Sequence, residues 1–382
     1  MAVTIHQNFN DYDISGNPLV VVFSSNLTAQ ANFSYKVELY VNAVLVETHK
    51  LFPEVGIKAH IDVSNLAERY NTTHLMDESQ LRVDADDYKT IKVKIIENYG
   101  TPPTDQATNE VSKVVFKGKQ TMSEFLNYDP TDYIFASGKS WLTTFPTTEK
   151  RYYNNSYNHK LMFITDGNSV KLRIKDYRTN GSTNTVESST FQDDGDITIF
   201  NLNATIISGL GINIANSEKF EISVFTAADT VSGTTTLWVD DRCISSNPTM
   251  IHFLSKIGSI ESYLFINRTK TMVGIKSNSY EQQVGYFDDS GNWINRSGGL
   301  SDYSKESTTS IEVQTNFISE DEYNWLVDNL LKSPLIYIEE LGSTPYRCRV
   351  KESSYEHKLN NYEMVFNLKA KLELTKETST IV

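Results

Sequence analysis

Two short stretches carry residue types that handle phosphate. Ser137-Gly138-Lys139-Ser140 has the closing residues of a phosphate-binding loop, but the first glycine of that pattern falls on Tyr133. Gly209 and Gly211 start a dinucleotide fingerprint whose third glycine position is Ile214, and the following Lys219 to Phe225 reads as strand where a phosphate site needs a helix N-terminus. Neither pattern is complete. Hydrolytic chemistry fares no better, since there is no Gly-x-Ser-x-Gly elbow and no His-Glu-x-x-His pair. The seven histidines, His6, His49, His60, His74, His159, His252 and His357, stand singly along the chain. Asp193-Asp194-Gly195-Asp196 and Asp288-Asp289-Ser290-Gly291-Asn292 offer oxygen ligands, yet neither follows a calcium-loop spacing, and both read as turns at strand ends. Cys243 and Cys348 are too few for a disulfide framework and too far apart for a zinc site, so both are expected as buried thiols. No catalytic residue, metal or cofactor site is expected.

One stretch suits a different chemistry. Tyr152-Tyr153-Asn154-Asn155-Ser156-Tyr157-Asn158-His159 combines aromatic faces with amide donors, the groups that stack on and hydrogen-bond to sugar rings. The same composition serves equally as an exposed loop or a subunit contact.

The elements that would position these groups are mostly strands. In the first 118 residues Val37, Leu39 and Val41 alternate with Lys36, Glu38 and Tyr40, and Ile91, Val93 and Ile95 alternate with Lys92 and Lys94. Period two with one apolar face is the mark of antiparallel sheet. Leu19 to Phe23 is a further strand, a short helix fits Asp62 to Tyr70, and Asn98 to Asn109, with Gly100, Pro102 and Pro103, is expected as a loop that closes one hairpin before Val111 to Phe116. An immunoglobulin-like sandwich would bury these faces. From 119 to 240, strands are expected at Leu161 to Ile164, Val170 to Ile174, Ile197 to Leu202, Phe220 to Phe225 and Thr236 to Val239, with a hairpin turn at Thr179 to Ser182. That span reads as a second β-rich domain.

The last 140 or so residues, 241–382, carry the two expected helices. The first has Asn247 as cap, Pro248 at its first position and a stripe of Ile251, Leu254 and Ile257 that stops at Gly258. In the second, Ser319 and Glu322 form a capping-box pattern ahead of Tyr323, Leu326, Val327, Leu330 and Leu331. Strands follow at Leu335 to Leu341 and Tyr346 to Val350. A long alternation from Tyr362 to Leu374 predicts either a strand bent between two sheets or one that outgrows its own domain and packs on a neighbouring subunit. On the latter reading, loss of Leu368 to Val382 harms assembly more than folding.

Composition narrows the function classes. The chain has 382 residues, with 35 Lys+Arg against 48 Asp+Glu, a formal net charge of −13 that repels phosphate backbones and anionic lipid. Sequence-specific nucleic-acid binding and membrane binding are therefore not expected. Aromatics reach 11%, with 21 Tyr, so the chain has enough large side chains to fold. The opening residues lack a basic and an apolar region of a secretory signal, which predicts synthesis in the cytoplasm. Asn-x-Ser/Thr triplets at Asn26, Asn32, Asn71, Asn203, Asn267 and Asn295 then read as by-products of composition.

A resemblance adds to this. Ser15-Gly16-Asn17-Pro18-Leu19, Tyr35-Lys36-Val37-Glu38-Leu39, Ile251-His252-Phe253-Leu254-Ser255-Lys256-Ile257-Gly258 after Cys243, Tyr263-Leu264-Phe265, and the closing Asn361-Tyr362-Glu363-Met364-Val365-Phe366 resemble virion structural proteins of phages infecting Bacteroidetes, including crAss-like phages. The resemblance implies a tail, ring or baseplate component of β domains without catalysis. Its partners would be copies of itself in a ring, in twelve or else six copies, and other tail, portal or ring proteins. The C-terminal order likewise resembles the sandwich-plus-helix module of phage tail proteins. The combined expectation is a mainly β chain of antiparallel β-sandwiches in three units, 1–118, 119–240 and 241–382, the last with one or two short helices. The competing expectations are a glycan-binding module or adhesin contacting the host surface, built on Tyr152 to His159, and a polysaccharide depolymerase, for which Asp193, Asp194 and Asp196 are the acidic candidates.

Overall fold

A computed structural model describes residues 3–54, 56–72, 80–84, 88–136, 138–188, 192–193, 197–242, 248–267, 269–295, 299–341, 344–351, 366–374 and 379–381. The protein is mainly β, built of antiparallel sheets with few and short helices. It divides into two compact units, Met1–Asp240 with Leu254–Glu261, and Asp241–Phe253 with Ser262–Val382.

The first part of unit 1 holds β1 (Thr4–Gln7), β2 (Asp13–Ile14), β3 (Val20–Ser24), β4 (Ser34–Val41), β5 (Val44–Leu51), β6 (Lys58–Asp62), α1 (Ser64–Tyr70), β7 (Arg82–Asp84), β8 (Tyr88–Gly100) and β9 (Pro103–Phe116). The sheets β1-β3-β6 and β2-β9-β8-β4-β5 enclose one apolar core. The alternating residues read from the sequence face it: Val37, Ile91, Val93 and Ile95 are fully buried, as expected when one face of each strand leaves water. The hairpin expected around Asn98 to Asn109 is present, but its loop is far shorter, because β8 runs to Gly100 and β9 restarts at Pro103. The first half of β9 is polar and largely exposed, so it has no apolar alternation by which to recognise it.

The rest of unit 1 holds α2 (Met122–Phe125), β10 (Arg151–Tyr153), β11 (His159–Ile164), β12 (Ser169–Arg178), β13 (Thr183–Glu187), β14 (Gln192–Asp193), β15 (Ile197–Leu202), α3 (Ala204–Gly209), β16 (Ser217–Thr226) and β17 (Thr235–Val239). The sheets β10-β17-β16-β12-β13 and β11-β15-β7 enclose a second core around Trp141, Phe163 and Phe200. Every residue of β11 and β15 is buried. Their second face, with Met162, Ile164, Ile197 and Ile199, packs on Ile14, Phe116 and Ile257 in a third core. Together with β7, which leaves the first 116 residues to pair with β15, that core joins both sandwiches into one unit.

Unit 2 is built on one sheet. Its strands are β18 (Thr249–Leu254), β19 (Ile260–Phe265), β20 (Lys270–Gln282), β23 (Gly299–Gln314), β24 (Ile336–Glu340), β25 (Tyr346–Val350), β26 (Lys369–Leu374) and β27 (Ser379–Ile381), with the small hairpin β21 (Gly285–Phe287) and β22 (Trp293–Asn295) between β20 and β23. The order is β19-β18-β24-β25-β26-β23-β20, and β27 also pairs with β23. Helix α4 (Glu320–Asn329) starts as the sequence indicates, with the Ser319 hydroxyl accepting from the Glu322 amide at 3.1 Å and three acidic residues in the first turn, where the helix dipole favours them. Its buried side carries Trp325, whose ring lies 5.3 Å from Phe253 and 5.9 Å from Tyr263.

Two expectations fail here. The helix expected over Ile251 to Ile257 is strand β18 and its turn. All six residues of β18 are buried, and an apolar run buried on both faces looks the same in sequence whether it is helix or strand. Asn247 lies outside the described residues. The expected long final strand is also different. Of its residues, 362–365 lie outside the described residues, Phe366 makes an isolated bridge to Ile318, and β26 begins only at Lys369. β26 sits between β25 and β23, so both its edges are paired and neither is open to a neighbouring subunit. Its removal would split the sheet.

Candidate functional site

The residues with possible chemistry do not converge. Gly209 ends α3 and Gly211 follows it with φ 86°, so the helix precedes the glycines and strand β16 follows them, the reverse of a nucleotide site. Ser137 lies outside the described residues, and the Lys139 ammonium is 3.3 Å from Asp132. Of the first acidic cluster, Asp193 closes β14 and residues 194–196 lie outside the described residues. In the second, Asp288 closes a turn by accepting from the amides of Ser290 at 2.9 Å and Asn292 at 2.8 Å. Those amides, Asn292 first, hold the Asp288 carboxyl below the usual carboxylate range. Among the described residues no group of three or more His, Cys, Asp or Glu could hold a metal. Cys348 is buried as expected, and burial pushes its thiol up to about 12; Cys243 lies outside the described residues.

The aromatic stretch is partly inside. Tyr153 and Tyr157 are buried in unit 1, Tyr153 packs 4.9 Å from the His159 ring, and the Asn154 amide donates to His159 Nε2 at 2.9 Å. Tyr152 and Asn158 are half-buried, Asn155 and Ser156 are exposed, and Arg151–Tyr153 is a strand that pairs with β17.

Two buried polar clusters look more like chemistry. In unit 2, His252 Nε2 lies 2.9 Å from a Glu339 carboxylate oxygen and Nδ1 lies 2.8 Å from Ser262 Oγ. An ionised carboxylate only accepts, so Nε2 donates and the neutral ring's Nδ1 accepts from the hydroxyl. The order is serine, histidine, acid, but the ring nitrogens are exchanged relative to serine hydrolases. Ser262 also sits in mid-strand in β19 rather than on the sharp turn that exposes a nucleophile. The cluster ties three adjacent strands together. In unit 1, the Glu261 carboxylate accepts from the Thr144 amide at 2.6 Å and from the hydroxyls of Thr143, Thr144 and Ser259. Arg151 stands 3.9 Å away; burial lowers its pKa and the Glu261 charge opposes that. A carboxylate so fully satisfied by donors is held as structure.

What remains is a surface. β20 and β23 pair from Lys270 opposite Glu312 to Gln282 opposite Gly299. At about 3.3 Å per residue, β20 alone extends about 40 Å. β26 and β27 cover the far edge of β23 only over Lys305–Ser307 and Ser310–Gln314. Beyond that, among the described residues, the two strands pair only with each other. Every residue of β20 is exposed except the half-buried Met272. Val273 is 60% and Ile275 68% exposed on the stretch of β20 whose partner strand is backed by β26 and β27, and Leu300 is 80% exposed on the two-stranded ribbon itself. At its tip Phe287 and Trp293 pair across β21 and β22 with rings 5.0 Å apart. Gly285 lies beneath the Trp293 ring, where any Cβ would collide with it. A two-stranded ribbon is marginal by itself in water.

The sequence reading passed over this arm. β20 and β23 are rich in Ser, Thr, Gly and charged residues, and apart from the buried Ile311 and Val313 near the end of β23 they show no period of two. The recoverable signal was the turn at Asp288 to Asn292 flanked by Phe287 and Trp293, with β-formers on both sides.

Among known proteins, no family model matches the sequence, and no curated protein matches it. Solved structures similar to it include a marsupial T cell receptor at 7% identity and TM-score 0.20, covering 81% of this chain and 96% of that one. A Salmonella alpha-2-macroglobulin mutant is similar at 8% identity and TM-score 0.19, covering 100% of this chain and 31% of that one. Superpositions this loose carry no functional conclusion.

Proposed function

We propose that this chain is a non-catalytic structural subunit of a closed ring in a phage tail or neck, assembled from copies of itself and adjoining other virion proteins. The observation that supports this reading most is the long exposed pair of β20 and β23, on which Val273, Ile275 and Leu300 stand in water. The candidate chemical groups are dispersed, or buried and internally satisfied, which suits an assembly role better than catalysis. The phage assignment and the copy number, twelve or else six, come from the sequence resemblance. A net charge of −13 suits a ring around a DNA channel, since acidic side chains facing the lumen would repel the duplex and let it slide. A host-glycan adhesin is the weaker reading, because Tyr153 and Tyr157 are inside. No described helix is long and apolar enough to cross a membrane.

The test is mass photometry and negative-stain electron microscopy of the purified full chain over a concentration series. Closed rings of one discrete copy number are expected. A chain that stays monomeric at every concentration refutes the proposal.

A further inference from the structure

Lys160 is the only buried lysine among the described residues. It is 0% exposed in β11 and stands directly opposite Asn201 in β15, also 0% exposed. The Asn201 backbone amide donates to the Leu81 carbonyl at 2.8 Å, and the Lys160 carbonyl accepts from the Arg151 guanidinium at 3.4 Å. These backbone groups turn away from each other, so the two residues form a non-hydrogen-bonded pair of the ladder, the kind that brings side chains closest. There Lys160 Nζ lies 2.9 Å from Asn201 Oδ1. Asn201 Nδ2 donates to the Gln80 carbonyl at 2.9 Å. A carbonyl only accepts, so this contact fixes which end of the carboxamide faces the amine. With a C=O bond of about 1.23 Å, Nζ is within about 4 Å of Asn201 Cγ, close to the separation from which bonds form.

We propose that Lys160 and Asn201 join in an intramolecular isopeptide bond. Nζ attacks Cγ, the Nζ–Cγ bond forms, and the Cγ–Nδ2 bond breaks. The ammonium brings three protons and the carboxamide two; one stays on the new amide nitrogen and the other four leave on the departing nitrogen as an ammonium ion. Nothing is oxidised or reduced, and no co-reactant is consumed. Folding holds amine and carboxamide side by side, which replaces a bimolecular encounter with an intramolecular one. An ammonium held out of water costs free energy, and the reaction moves that charge into solvent. The leaving nitrogen is already bonded to the backbone of Gln80, an exposed residue, so its exit lies on the solvent side. The bond ties together β11 and β15, the strands buried on both faces that contribute to the second core on one side and the third on the other. It does not depend on ring assembly.

The test is mass spectrometry of the purified full chain, kept folded for several days and then denatured. The intact chain should weigh less than its sequence by about 17 Da, the mass of one ammonia. Trypsin should leave 152–171 joined to 179–219 in one branched peptide, because an acylated Lys160 is not cut. The branched peptide decides, since an asparagine that closes on its own backbone loses the same mass without a branch. Lys160→Arg keeps a cation but no primary amine, so it should show neither the branch nor the loss. The wild-type result stands without that variant if the variant fails to fold. An intact mass equal to that of the sequence overturns the proposal. So does complete recovery of 152–160 and 161–171 as separate peptides, or a loss of ammonia with no branch.

Discussion

Asp13 gives a quantitative handle on unit 1. It is 5% exposed at the start of β2, where its carboxylate accepts from the Asn10 amide at 2.7 Å. Burial raises its pKa from 3.8 to about 6, the Asn10 amide opposes the rise, and the charge of Asp11 adds to it. Below about pH 3.8 the carboxyl is protonated in both native and unfolded chains, so it contributes no pH-dependent difference. As pH rises from 3.8 to 6 the unfolded chain ionises first and binds fewer protons than the native one, so stability falls. Above 6 both forms are ionised and the loss is constant. A shift of about 2 units at about 1.4 kcal/mol each makes that loss about 3 kcal/mol. Asp13→Asn removes the titration and keeps an oxygen for the Asn10 amide. The variant's stability relative to wild type should therefore climb by about 3 kcal/mol between pH 3.5 and pH 7. The assay is urea unfolding of both proteins across that range, with stability taken from the midpoint and slope of the first-unit transition. A difference that stays flat with pH, or that favours wild type increasingly toward pH 7, refutes the reasoning.

Three further outcomes follow from packing. Gly258→Ala should destabilise unit 1 by about 3 kcal/mol in urea unfolding, because φ there is 85° and a Cβ would fall on the Lys117 carbonyl and the Phe116 ring; a loss under about 0.5 kcal/mol contradicts it. Trp325→Ala should cost unit 2 about 3 to 5 kcal/mol through the lost contacts with Phe253 and Tyr263, read as an earlier unfolding transition of that unit alone. Cys348, with its thiol pushed up to about 12 by burial, should resist iodoacetamide in the native protein at pH 8 and react once the chain is unfolded, as peptide mapping would show; rapid native labelling contradicts this.

The sequence by itself determined the class of fold and the elements whose physics is local. Period-two alternation marked β4 and β8 because each has one face in a core and one in water. Ser319 and the stripe from Tyr323 to Leu330 marked α4, because capping and an apolar face are written within a few residues. Where both faces met the same surroundings the pattern vanished. β18 is buried on both faces and passes for a helix, while β20, exposed except for the half-buried Met272, shows no apolar face at all. Only the tertiary structure decided what each strand touches. It set Tyr153 and Tyr157 inside rather than on a sugar-binding face, closed β26 between two partners, and joined His252, Ser262 and Glu339 from three strands. It also left β20 at an open edge. Those outcomes depend on strand order, which is set by contacts between residues far apart in the chain and so leaves no trace in any short window of sequence.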